Sequence, residues 1–154
     1  MAETPTSSEQ SRASWRFDAE TLTLKLSVSL AADRDAVDPV VVNIMNLVRE
    51  MKCALGREDD IELALTEALA NAVLHGAKGD SSKVIECDVA CDEEQGILIV
   101  VRDPGTGFDP AKIANPCEGK NIFSNHGRGI YLINQLMDEV KFHKNGTEIH
   151  MLKK

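Results

Sequence analysis

Residues 96–102, GILIVVR, form a run in which nearly every side chain is apolar. A run this short and this apolar reads as the central strand of a sheet, because only an interior strand buries both of its faces. It follows VIECDVACD, in which Ile85, Cys87, Val89 and Cys91 alternate with more polar neighbours. The acidic turn DEEQG joins the two, so a hairpin is expected here. SWRFDAETLTLKLSVSL, upstream, predicts a strand or a bent pair of strands. VKFHKNGTEIHMLK, near the C-terminus, predicts a second hairpin turning at KNG.

Between these strands the period changes from two to between three and four. Val41, Ile44, Leu47, Val48 and Met51 predict one face of a long helix, with Pro39 in its first turn and Gly56 closing its end. REDDIELALTEALANAVLHGAKGD predicts a second helix, capped by Asp59 or Asp60 and free to stop at Gly76 and Gly79. Its buried face would hold Leu65, Ala68, Leu69, Ala72 and Val73. A third helix is expected over GRGIYLINQLMDEV. Residues 108–126, FDPAKIANPCEGKNIFSNH, have no usable period, and a loop of that length is usually functional or mobile. The expected fold is therefore α+β: a two-layer sandwich with helices on one face of a mixed, mostly antiparallel sheet.

The chain has 154 residues, 43% of them hydrophobic and 27% charged, which suits one soluble globular domain. MAETPTSSEQSRAS lacks the basic start and apolar core of a secretory signal, so residues 1–14 are expected to be a flexible leader and 15–154 the domain. No apolar run reaches the roughly 18 residues of a membrane span, and a cytoplasmic location is expected. Seventeen basic against 25 acidic residues give a net charge of −8, which disfavours direct nucleic-acid binding. The cysteines Cys53, Cys87, Cys91 and Cys117 show no CxxC spacing. They read as small hydrophobes in a reducing compartment rather than as zinc ligands.

Three short stretches carry chemistry. Glu67, Asn71 and His75 form a polar row along the second helix, each four residues after the last. Residues so spaced share one side of a helix. A carboxamide there can ligate a hydrated magnesium ion that also holds phosphate, and a carboxylate beside it can take a proton from an attacking hydroxyl. The same residues could equally face solvent while the alanines pack. Asp103 follows the buried strand and precedes Gly105 and Gly107. Its carboxylate suits the exocyclic amine of adenine, though an Asx-type turn would also explain it. Gly127 and Gly129 precede or open a helix, where exposed N–H groups favour an anion. Neither the Walker pattern nor GxGxxG is present.

Taken in order, LTEALANAVLHG, VVRDPGTGFDP and GRGIYLI resemble the motifs of the GHKL ATP-binding superfamily, and in their wording its anti-sigma factor serine/threonine kinase branch. The resemblance runs from about residue 21 to the C-terminus. It implies a Bergerat-type fold that binds ATP and Mg2+, with Glu67 as general base and Asn71 as magnesium ligand. Asp103 would read adenine, Gly105 and Gly107 would shape the pocket floor, and Gly127, Arg128 and Gly129 would meet the phosphates. Residues 108–126 would be the ATP lid, with Lys112 or Lys120 reaching phosphate. Arg128 could instead point outward, and His75 could touch the nucleotide or cap a helix end. The implied activity is phosphorylation of a small anti-sigma antagonist protein, with sequestration of a sigma factor and homodimerisation. The alternative is an ATP-binding interaction module, an anti-sigma clamp without kinase turnover.

Overall fold

The computed structural model of the chain describes residues 22–106 and 125–154. The expected leader over 1–14, and residues 15–21 of the first strand signal, lie outside them. Strand β1 (Leu22–Ala31) leads into helix α1 (Arg34–Glu50) and helix α2 (Glu58–Asn71), which runs on into a π-helical turn over Ala72–Gly76. Strands β2 (Val84–Asp92) and β3 (Gly96–Arg102) follow, then helix α3 (Asn125–Leu136) and strands β4 (Glu139–His143) and β5 (Glu148–Lys153). The sheet order is β1-β2-β3-β5-β4, and every described pairing is antiparallel. This is the α+β sandwich the sequence predicts.

β3 is central, and both of its faces are buried. Ile97, Ile99 and Val101 join the core beneath the helices, while Leu98 and Val100 cluster with Leu152 on the opposite face. β5 enters the sheet between β3 and β4, setting Val101 against Ile149 and Ile99 against Met151. The β4–β5 turn explains why KNG sits where it does. Lys144, Asn145 and Gly146 all have positive φ (51°, 59° and 82°), a conformation that Asn and Gly adopt at least cost.

The helices lie against the face of Ile85, Cys87 and Val89. All five expected α2 face residues are buried, and the alanines among them keep that face flat. On α1, Val41, Ile44 and Val48 are buried, whereas Leu47 and Met51 are 38% and 39% exposed and lie outside the core.

Three boundary expectations are corrected. Asp33 caps α1 by accepting from the Asp35 N–H at 2.9 Å, so the helix starts early enough to place Pro39 inside it rather than in its first turn. The helix ends where Lys52 turns to φ 56°, ahead of Gly56. At α2 the N-cap is Arg57 without a side-chain bond, and Asp59 and Asp60 fall in the first turn, where carboxylates favour the helix dipole instead of capping it.

Leu65 is fully buried, and Leu63, two residues away, is 43% exposed. Leu65→Ala is expected to cost about 2–5 kcal/mol in urea unfolding, and Leu63→Ala well under half of that. Equal costs would contradict this assignment of the α2 face.

Candidate functional site

The polar row of α2 faces the start of α3. Glu67 and Asn71 are both partly buried. A Cβ added at Gly129 would stand 3.0 Å from Asn71 Nδ2 and 3.1 Å from Glu67 Oε2. Gly129 thus lets α3 lie directly over the carboxylate and the carboxamide. The helix begins at Asn125, so Gly127 and Gly129 sit inside its first turns rather than ahead of it. Close approach, not chain reversal, accounts for Gly129. The last two residues of the expected lid, Asn125 and His126, are likewise helical. The remaining lid residues, with Lys112 and Lys120, and also Gly107 and Cys117, lie outside the described residues. Arg128 is exposed.

Past Asn71 the helix widens. Ala77 N–H donates to Ala72 O at 2.8 Å, five residues back, and such π turns often mark functional sites. The wider turn brings Gly76 against Asp103, where a Cβ at Gly76 would stand 2.5 Å from the Asp103 Cβ. A Cβ at Gly105 would in turn overlap the Gly76 carbonyl oxygen. Two glycines from distant parts of the chain therefore meet backbone to backbone beside one carboxylate.

Asp103 is held from both sides. Its N–H donates to Thr147 O at 2.9 Å, extending the β3–β5 ladder by one step. Its Oδ1 accepts from Gly105 N–H at 2.8 Å, so the Asx-type turn open in the sequence does form. The carboxyl also lines a cavity, and the two readings of Asp103 are compatible. Burial raises its pKa above the ordinary carboxylate value, against the opposing pull of the Gly105 N–H.

The cavity holds about 120 Å³. Asn71, His75, Asp103 and Thr147 supply its polar lining, and Val101, Ile130 and Phe142 lie among its apolar walls. Apolar cavities of ~150 Å³ take up a single benzene ring. A space of this size is on the scale of one flat ring, and a larger ligand must extend past it. Partial desolvation lowers the His75 pKa and favours its neutral imidazole.

Behind the cavity, the far face of the sheet carries a polar cluster. Arg102 binds Asp88 at 2.6 Å and Glu148 at 3.1 Å. His150 Nε2 meets Glu148 Oε1 at 2.6 Å, and Lys144 lies 3.4 Å from Glu148. Burial pushes the Glu148 carboxyl up, but His150, Arg102 and Lys144 outweigh it and hold it below its ordinary value. This cluster clamps β3 to β5 one residue before Asp103 and one after Thr147.

Sequence reasoning did not place Gly76 or Thr147 in the site. Gly76 was legible only as a helix stop, and Thr147 as part of a hairpin turn. Their roles come from contacts with Asp103, which lies far from both in sequence.

Residues 30–153 match the family model of the histidine kinase-like ATPase domain. The chain is 28% identical to the serine-protein kinase RsbW of Bacillus thuringiensis (strain Al Hakam), over 84% of this chain and 84% of that protein. The proteins of the same name from Bacillus cereus (strain AH820) and Bacillus anthracis (strain A0248) are similar to the same extent.

Two variants test the geometry without a ligand. Gly76→Ala forces a methyl into Asp103 and is expected to destabilise the fold by about 1–3 kcal/mol; an unchanged urea midpoint would contradict the contact. Asp103→Asn keeps an acceptor for Gly105 but removes a desolvated charge. A raised folded-state pKa gives stability that is present at acid pH and lost as pH rises through that value. Asp103→Asn should therefore melt higher than the wild type at pH 7, with the gap closing toward pH 3. A gap independent of pH would contradict the desolvation of Asp103.

Proposed function

This chain belongs to the histidine kinase-like ATPase family, and from that premise we propose that it is a Mg-ATP-dependent serine/threonine kinase of the anti-sigma type. Its substrate would be a serine or threonine of a small antagonist protein, and its alternative complex would hold a sigma factor. The observation that carries this reading is the stacking of Gly129 over Glu67 and Asn71, next to a ring-sized cavity ending at Asp103.

In this reading adenine occupies the cavity, with its exocyclic amine donating to Asp103. Gly105 forms part of the floor, a role the resemblance also gives to Gly107. The phosphates extend toward the first turn of α3, where the Gly127 N–H lies at the positive end of the helix, Arg128 adds its charge and Gly129 leaves room for close approach. Asn71 contributes a carboxamide oxygen to magnesium, which when bound neutralises charge on the phosphate oxygens. Glu67 accepts the proton of the incoming hydroxyl as its oxygen bonds to the γ-phosphorus and ADP departs. Docking of the antagonist would supply the in-line geometry.

Charge supports release after transfer. The chain carries a net −8, and phosphorylation adds about −1.5 to −2 to the antagonist. Repulsion then disfavours the product complex and frees the chain for a sigma factor. Homodimerisation is what the resemblance to anti-sigma kinases implies.

The test uses γ-labelled ATP and candidate small antagonist proteins. Glu67→Gln is expected to bind Mg-ATP within a few-fold of wild type and to lose phosphoryl transfer by at least ~100-fold. Asn71→Ala should lose magnesium-dependent nucleotide binding. Undiminished transfer by Glu67→Gln would remove that residue from the mechanism. Wild-type protein that binds nucleotide and antagonist without transfer would favour the clamp.

A further inference from the structure

Cys53 and Cys91 lie toward the other end of the sheet, and neither lines the cavity. After α1 the chain reverses at Lys52 (φ 56°), and Cys53 follows in the connector to α2 with its N–H bonded to Val48 O at 3.1 Å. Cys53 is half-buried against the core. Cys91, on β2, is 2% exposed, and its thiol donates to the Cys53 carbonyl oxygen at 3.6 Å. The Cys91 sulfur thus lies against the backbone of the residue whose thiol it would bridge. The two cysteines are 38 positions apart in sequence, so the fold alone brings them together. Cys91 pairs with Ile97 near the start of β3, about 20 Å along the strand direction from Asp103.

We propose that Cys53 and Cys91 are a thiol modification site that closes into an intramolecular disulfide when the protein meets a peroxide. Cys53, the more accessible, attacks the peroxide: an S–O bond forms, the O–O bond breaks, and one water leaves. Cys91 then attacks the sulfenic sulfur: the S–S bond forms, the S–O bond breaks, and a second water leaves. Two thiols and one hydrogen peroxide become one disulfide and two waters, and a dithiol reverses the step.

Burial raises the pKa of both thiols, so few thiolates exist at neutral pH. The pair is thus slow to oxidise in ordinary reducing conditions, and its rate of closure should rise ~tenfold per pH unit below the Cys53 pKa. The bridge would tie the α1–α2 connector to β2. Loop-closure entropy for a bridge of this span predicts a melting temperature higher by roughly 8–16 °C in the oxidised protein. Nucleotide affinity should be unchanged within about twofold, since the bridge lies far from the cavity by the strand rise.

The full chain carrying Cys117→Ser is treated with hydrogen peroxide at pH 8, blocked with an alkylating reagent, digested without reductant and mapped by mass spectrometry. The expected product is a Cys53–Cys91 peptide that is released by dithiothreitol, with Cys87, which is fully buried, recovered as alkylated thiol. Cys53→Ser and Cys91→Ser should each abolish it. The proposal is overturned by Cys53 sulfinic acid with Cys91 still reduced, by a bridge from Cys53 to Cys87 or to a second chain, or by no oxidised product at all.

Discussion

Gly76 has no side chain, and the π-helical turn that carries it can therefore rest on Asp103 at the end of β3. The cavity depends on that contact. It sets the distance between the second helix and the central strand at one end of the sandwich, and so the width of the space that Asn71, Asp103 and Thr147 line. A side chain at this point would push helix and strand apart or force Asp103 out of its turn. The extra residue of the π turn does the complementary work, because a regular helix would carry position 76 round by a different angle. π turns are tolerated where the surrounding packing requires them, and here Gly105 completes the packing from the other side.

The sheet supplies the second constraint. Strand alternation sends neighbouring side chains to opposite faces, so Val101 joins the helix-side core while Arg102 joins the cluster on the far face. Arg102 and Glu148 are direct partners in the β3–β5 register, and their ion pair resists a one-residue slip that would reverse every face. His150, fully buried, meets Glu148, and Asp88 accepts from Arg102, which completes the cluster around that pair. The site's cavity and the far-face ion cluster are thus two sides of one strand pairing. Loss of the pairing would disturb both.

Much of this architecture is legible in the chain. Two apolar runs of different character predict the β2–β3 hairpin, since β2 alternates and β3 does not. Helical spacing picks out Leu65, Ala68 and Leu69 on α2 and Ala72 and Val73 in the π turn, all buried, though it leaves out Ile61 and Ala64, which are buried on the same helix. The motif order LTEALANAVLHG, VVRDPGTGFDP and GRGIYLI points to the family that residues 30–153 match. Local patterns fail where a tertiary contact decides. Gly76 looks like a helix stop because its neighbour in space, Asp103, is invisible to periodicity. Thr147 belongs to the site only because β5 inserts beside β3. Gly129 reads as a turn residue, yet its lack of a side chain serves close packing on Asn71. Cys53 and Cys91 read as isolated hydrophobes for the same reason, since no spacing rule joins a helix connector to a strand.

The account rests on a nucleotide entering between the π turn and the end of β3. Hydrogen–deuterium exchange of the full chain, with and without saturating Mg-ATP, tests this most directly. Slowed exchange is predicted around residues 71–76, 103–106 and 146–149, with β1 unchanged at its edge of the sheet. Exchange unaltered by Mg-ATP in those three segments, or protection confined to β1 and β2, would contradict it.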